Sequence, residues 1–302
     1  MVAGTVGIIG IGNLGSAMAG NLVAGGFRVI GLDIDPGRLR AFAQVGGEPA
    51  ASPAEVVARA DEVILCLPSA DALRRVISGE GGLVTAGRPG VVLIETSTLP
   101  VPVKEEARRA AGAVGMDMLD CPISGTGAMA RRRDIAVYAS GPEALIERCR
   151  PIFAAIARAA HRVGDFGAGT RLKLISNLLV SVHTAAAAEA LTLAACSGLD
   201  PAAVLPLLCD GSGTSRMLEV RGPMMAADHF PGDSSTVDVL FKDVELILGL
   251  AADVNCPIPL MATTATMLSA ARGQQLGSSD PAVLARVLGR LAGLQPPADE
   301  TA

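Results

Sequence analysis

Lys173 and Asn177 stand four residues apart in the stretch GTRLKLISNLL, at the head of the longest apolar run in the chain. On a helix this spacing puts an ammonium and a carboxamide on one face, a turn apart. A buried, unpaired ammonium is costly, so the pair must be solvated, satisfied or functional. The functional reading is proton transfer. A lysine whose charged form is disfavoured by desolvation can take a proton from an alcohol and return it to an alkoxide. The plainer reading is a lysine whose stem crosses apolar surface to reach water. Asn177 can hold the reacting hydroxyl or orient the lysine, or it can be an interhelical structural asparagine. Ser124, Gly125 and Thr126, in DCPISGTGA, offer hydroxyl and backbone N–H groups to a substrate carboxylate, or simply make a turn. His161, His183 and His229 are scattered without partner spacing, which supports neither a metal site nor histidine-based catalysis.

A second constellation lies at the start of the chain. GIIGIGNLGSAMAGNL contains Gly10, Gly12 and Gly15 in the order G-x-G-x-x-G. With 35 glycines in 302 residues the pattern alone is weak. Its context strengthens it: a strand precedes it, a helix follows, and a second strand ends in Asp33. Gly10 permits the tight turn, Gly12 lets backbone approach a pyrophosphate, and Gly15 lets helix and strand pack closely. Asp33 is placed to accept the adenosine ribose hydroxyls and to repel a 2′-phosphate. NAD is therefore favoured, with Arg38 close enough to keep NADP in play.

The elements that must carry these groups follow from pattern. Short apolar runs, TVGIIG, RVIGLD, DEVILCLP, VVLIET, DMLDCPI and DIAVYASG, alternate with helical segments, as in a parallel α/β sheet. Ser52 and Pro53 mark one helix start, and Gly25-Gly26 one helix end. Beyond about residue 165 the strand signals stop, and one helix is expected over about 168–197. The expected organisation is a Rossmann-type dinucleotide-binding domain over 1–164, its sheet mainly parallel, then an all-helical domain over 165–302, joined by that long helix.

Composition narrows the classes. A formal charge of −5 and a pI near 5.3 give no electrostatic footprint for nucleic acid. The six cysteines form no CxxC pair, so Cys66 and Cys121 read as reduced core thiols of a cytoplasmic protein. The apolar segment after Lys173 is interrupted by Asn177, His183 and Glu189, which favours a buried core helix over a membrane span. A strand so near Met1 leaves no room for a signal peptide. The apolar helical half suggests a homodimer or homotetramer.

Taken together, these motifs resemble the β-hydroxyacid dehydrogenase family, which includes 3-hydroxyisobutyrate dehydrogenases and tartronate semialdehyde reductases. GIIGIGNLGSAMAGNL is similar to the family's cofactor loop, which adds Asn13 and Leu14 to the cofactor contacts. CLPSADAL resembles the strand end that meets the cofactor through Leu67 and Pro68, and ETSTLP the segment that places Thr98 there. DCPISGTGA is similar to the substrate loop, KLISN to the catalytic helix, and FKDVEL to a C-terminal motif that sets Lys242 beside the nicotinamide. The resemblance implies NAD(P)-dependent hydride transfer between a small β-hydroxyacid and its semialdehyde, with Lys173 and Asn177 catalytic. Three departures stand out: ARRRDIA where the family runs into Gly-Thr-Leu, Ser176 for an asparagine of the catalytic motif, and Ala72 for a cofactor-touching asparagine. Imine reduction on the same scaffold is the enzymatic alternative, disfavoured because those relatives carry Asp or Tyr where Lys173 stands. A non-catalytic dinucleotide sensor is the alternative from another class.

Overall fold

The computed structural model describes residues 4–232 and 235–294. The chain divides into two compact units, Met1–Lys173 and Leu174–Ala302.

In the first unit strands and helices alternate. β1 (Thr5–Ile9), α1 (Asn13–Ala24), β2 (Arg28–Leu32), α2 (Pro36–Gln44), β3 (Glu48–Pro49), α3 (Pro53–Arg59) and β4 (Glu62–Leu65) come first. α4 (Ala70–Ser78), α5 (Leu83–Ala86), β5 (Val92–Glu95), α6 (Val101–Gly112) and β6 (Asp117–Asp120) continue the pattern. β7 (Ile123–Ser124), α7 (Gly127–Arg131), β8 (Ala136–Ser140), α8 (Glu143–Arg148), α9 (Arg150–Ile156) and β9 (Ala159–Gly164) close it. The sheet order is β3-β2-β1-β4-β5-β6-β8-β7, with β9 paired to β8. Strands β1 to β6 are parallel; β8 runs antiparallel to β6 and β7.

Register decides where the loops go. Leu32, Ile9, Leu65, Glu95 and Asp120 pair successively across β2, β1, β4, β5 and β6, so the strands end in one row. Strand order reverses at β1, and an open α/β sheet presents ligands to the loops beyond such a point. Those loops hold Gly10 to Gly15, Asp33, Leu67 and Pro68, Thr98, and Ser124 to Thr126. Residues alternating along the strands feed two cores. Val6, Ile8, Ile64, Val92 and Ile94 pack on one face with Met18 and Leu22 of α1. Ile9, Val63, Leu65 and Leu93 pack on the other with Val56, Leu73 and Ala107. Burial on both faces explains why these strands read as continuous apolar runs.

Capping sets the helix starts. Ser52 accepts the Glu55 N–H at 3.1 Å with Pro53 following, as the sequence predicts. Three strands escaped the sequence reading. β3 and β7 are two residues each, and β9 (AAHRVG) is an exposed edge strand without apolar alternation.

α10 (Ala168–Cys196) begins in the first unit and continues into the second, which adds α11 (Pro201–Asp210), α12 (Arg216–Ala226), α13 (Val237–Asp253), α14 (Pro259–Gly273) and α15 (Leu284–Leu291). Leu174, Ala188 and Leu191 of α10 join Leu240, Val244, Met261 and Leu268 in one core. α10 is long and apolar enough to cross a bilayer. The core helix expected from the sequence buries Leu174, Ala188 and Leu191, while Ile175, Leu179 and Leu193 are exposed along it. Apolar residues lie all along this segment, yet the helix buries only some of them.

Candidate active site

The glycine turn comes first. Gly10 adopts φ +94°, and a Cβ there would lie 2.1 Å from the Cys66 carbonyl oxygen. A Cβ on Gly15 would lie 2.0 Å from the Gly10 carbonyl oxygen. Only glycine fits at either position, and together they bring α1 close against the strand ends. Gly12 is the N-cap of α1; no side chain caps that end, and its first turn carries no acid. A Cβ on Gly12 would meet only Arg38 Nη1, at 3.8 Å, so space remains in front of the helix. Uncapped N–H groups at a helix N-terminus beside open space suit a pyrophosphate, so these residues fit a dinucleotide. The neighbouring Cys66 thiol is pushed up to about 11 by burial, which keeps it protonated and inert at neutral pH.

Asp33 sits just past β2 with its carboxylate buried. Oδ2 accepts the Ile11 N–H at 2.6 Å and Oδ1 accepts the Asp35 N–H at 2.9 Å. Arg38 Nη1 approaches Oδ2 at 3.6 Å, while Ile34 is fully exposed. The sequence reading set Asp33 and Arg38 as competing indicators; the structure makes them one ion pair.

Beyond β4, the Leu67 N–H donates to Ser97 Oγ at 2.8 Å, and Pro68 is exposed. This bond ties the Leu67–Pro68 turn to the Ser97–Thr98 segment after β5. Thr98 is half-buried, and Ala72 lies in the first turn of α4, its N–H capped by Ser69.

Ser124 ends β7, in register with Ala136. Gly125 follows, and Thr126 is the N-cap of α7, its Oγ1 accepting the Met129 N–H at 3.3 Å. α7 then runs into the arginine triplet. Arg131 Nη1 donates to Asn13 Oδ1 at 3.2 Å, which links α7 to the glycine turn. Arg132 and Arg133 are exposed and end the helix.

On α10, Lys173 is half-buried and Asn177 is buried. Asn177 Nδ2 donates to Asp243 Oδ2 at 2.8 Å, and Lys242 Nζ lies 3.3 Å from Asp243 Oδ1. A carboxylate accepts only, so Asp243 fixes which end of the Asn177 amide faces it. Sequence reasoning missed Asp243. FKDVEL places it next to Lys242, but nothing in that motif announces its bond to Asn177, 66 residues away.

Comparison with known proteins gives the chain's relatives. A family profile described as the NAD binding domain of 6-phosphogluconate dehydrogenase matches residues 5–164. One described as the NAD-binding of NADP-dependent 3-hydroxyisobutyrate dehydrogenase matches residues 167–288. An L-threonate dehydrogenase from Cupriavidus necator is 35% identical over 284 residues, covering 93% of this chain and 95% of its own. A 3-hydroxyisobutyrate dehydrogenase from Pseudomonas aeruginosa is 31% identical, covering 87% and 91%. The crystal structure of a 3-hydroxyisobutyrate dehydrogenase from Salmonella typhimurium superposes with a TM-score of 0.85 at 30% identity, covering 94% and 99%. An imine reductase from Pseudomonas sp., at 21% identity and a TM-score of 0.63, shares the fold alone. By these matches the chain belongs to the β-hydroxyacid dehydrogenase family and is an NAD(P)-dependent oxidoreductase acting on the CH–OH group of hydroxyacids.

Proposed function

We propose that Lys173 is the proton acceptor in oxidation and the donor in reduction, with a short-chain β-hydroxyacid such as L-threonate or 3-hydroxyisobutyrate as substrate. The observation that carries this reading is α10 itself. It presents Lys173 and Asn177 one turn apart, the asparagine amide clamped by Asp243. Clamping leaves Asn177 Oδ1 turned from the carboxylate, suited to accept a bond from the substrate hydroxyl. Ser124 Oγ, with the N–H groups of Gly125 and Thr126, holds the substrate carboxylate. The bound dinucleotide supplies the hydride acceptor; Lys173 removes the hydroxyl proton as the C–H bond breaks. Gly10, Gly12, Asn13, Leu14 and Gly15 would receive the pyrophosphate of a bound dinucleotide, and Leu67, Pro68, Thr98 and Lys242 would hold its nicotinamide half.

NAD is the preferred cofactor. Asp33 is held by two backbone N–H groups, in place to accept ribose hydroxyls and repel a 2′-phosphate. The Asp33→Ala variant should raise KM for NAD and release Arg38 to accept NADP. A tenfold or greater wild-type preference for NADP would overturn this assignment. The protein is also proposed to act in the cytoplasm as a homodimer or homotetramer, supported by exposed Ile175, Leu179 and Leu193 on α10 and testable by light scattering. A panel of L-threonate, 3-hydroxyisobutyrate, glycerate, L-serine and 3-hydroxypropionate, assayed with NAD and NADP, tests the substrate class. Turnover of imines but none of these acids would sink it. NADH binding without turnover of any panel member would instead point to a sensor.

A further inference from the structure

Lys104, on α6, is fully buried, four residues beyond the ETSTLP segment and in none of the motifs singled out in the sequence. Its Nζ lies 2.5 Å from Glu95 Oε2 and donates to Asp120 Oδ1 at 2.8 Å, to the Ser97 carbonyl at 2.6 Å and to Thr170 Oγ1 at 2.9 Å. Each partner is the root of a segment assigned to the site. Glu95 and Asp120 are the last residues of β5 and β6, side by side in the row of strand ends. Ser97 holds the Leu67 N–H through its hydroxyl, so the ammonium grips both turns that border the nicotinamide. Asp120 leads directly into the strand that ends in Ser124.

The fourth partner matters most. Thr170 lies in the first turn of α10, three residues before Lys173. Its N–H donates to Asp120 Oδ2 at 2.8 Å and its hydroxyl donates to Asp120 Oδ1 at 2.7 Å while accepting from Lys104. The Gly169 N–H donates to Ser140 Oγ at 3.0 Å, and Ser140 in turn donates to Asp120. Two orphan N–H groups of the helix start are thus satisfied inside the core, fixing the entry of α10 in translation and rotation. The cluster holds one ammonium and two carboxyl groups. Burial pushes the Glu95 carboxyl up from its ordinary value, against the pull of Lys104. Burial also opposes the Lys104 charge, but Glu95 and Asp120 outweigh it and hold the ammonium above its usual range. The bonds that offset the desolvation of such a network come here from α6, the ends of β5 and β6, and the start of α10.

We propose that Lys104 is a positioning residue for hydride transfer, setting the rotation of the α10 first turn through Thr170 and Asp120 and so aiming Lys173. The inference rests on the reading of Lys173 as the proton-transfer group. A misplacement of an ångström at a reacting group lowers the rate far more than it lowers binding. Loss of the cluster's directional bonds should therefore lower kcat and leave the affinity for NADH in place.

The test uses Thr170→Val, which keeps the backbone N–H bond to Asp120 and removes only the hydroxyl bonds. Thr170→Ser restores a hydroxyl. The double variant Lys104→Met with Glu95→Gln removes the cation and one acid together, leaving the cluster's formal charge unchanged. The panel hydroxyacid with the highest kcat/KM is the substrate, NADH affinity is read by fluorescence, and folding by the thermal midpoint. The expected result is a tenfold or larger fall in kcat for Thr170→Val and for the double variant. NADH affinity should stay within twofold, and Thr170→Ser should keep kcat within threefold. If Lys173→Ala is inactive but Thr170→Val has wild-type kcat, the positioning role alone is overturned. If Lys173→Ala keeps its turnover, the Lys173 reading falls and this inference with it. Equal losses of kcat and NADH affinity, unrelieved by serine, would make the cluster a fold element only and also overturn it.

Discussion

Two buried ionic clusters touch the same helix and do different work. Near the start of α10, Lys104 faces two carboxyl groups; farther along, Arg221 faces one. Arg221 Nε donates to Asp280 Oδ1 at 2.9 Å and its Nη1 donates to Thr184 Oγ1 at 2.8 Å, while Asp280 also accepts the Ala282 N–H. That second cluster is charge-balanced and built on a planar guanidinium fork. It braces α12 and the turn before α15 to the middle of α10. The first has an acid in excess and sits three residues from the proposed proton carrier. The difference teaches that one long helix can be held at two places by clusters of different charge balance; on the reading proposed above, the first serves the chemistry and the second the stability.

The sharpest way to test the division is Lys173→Ala. If α10 carries the proton-transfer group, turnover in single-turnover hydride transfer should fall by about 10²–10⁴-fold, the usual worth of a general base. NADH affinity and thermal midpoint should be nearly unchanged. Lys173→Arg should not rescue the rate, since a guanidinium stays protonated. A stable Ala variant keeping more than a tenth of wild-type turnover would leave Lys173 a structural lysine.

Arg221→Ala asks the converse of the second cluster. Removing one partner of a buried pair leaves an uncompensated carboxylate, costing about 3–5 kcal/mol. Urea unfolding should show that loss, with kcat per folded molecule near wild type. A stability change under about 1 kcal/mol, or a lost kcat in fully folded protein, would erase the contrast between the clusters.

The two clusters also mark where sequence reading stopped. The α/β alternation, the Gly10–Gly15 turn, Ser52 as a cap and the long helix were all legible, because each depends on local spacing or on a residue's own backbone preference. Lys104 was not. Nothing in the letters VPVKEEARR singles it out, and the register of β5 with β6 is what sets Glu95 and Asp120 side by side at its ammonium. Asp243 was equally hidden, since its bond to Asn177 spans 66 residues. Arg221 and Asp280 lie 59 residues apart, with nothing in either neighbourhood to announce the other. Cofactor and lysine motifs survive as short strings; the groups that orient them are scattered and appear only once the fold is in hand.

A smaller effect separates the clusters by pH. Glu95 is held above its ordinary value, first by burial, so the folded protein binds more protons there than the unfolded chain. Stability must then fall as pH rises from the ordinary carboxylate range through the folded value. The raised Lys104 adds a loss of the same sign at alkaline pH, as its stabilisation disappears through its own folded value. Glu95→Gln should flatten the first of these slopes in thermal midpoints taken from pH 5 to 8. An unchanged slope would show that Glu95 stays ionised across that range.

The smallest expected effect concerns the arginine triplet, which neither cluster touches. α7 ends in a turn where the Asp134 N–H donates to the Met129 carbonyl and the Arg133 N–H to the Ala130 carbonyl. This is the paired closure that normally places glycine at the left-handed position. Arg133 occupies it instead, at φ +58°. An L-residue there is disfavoured by about 1–2 kcal/mol, while glycine adds about 0.5–1 kcal/mol of unfolded-state entropy. Arg133→Gly should thus stabilise the protein by up to about 1 kcal/mol in urea unfolding. Because Arg131, not Arg133, reaches Asn13, NADH affinity should not change. A tenfold weaker NADH affinity in Arg133→Gly would show that this guanidinium reaches the cofactor and that the triplet is more than a turn with one contact.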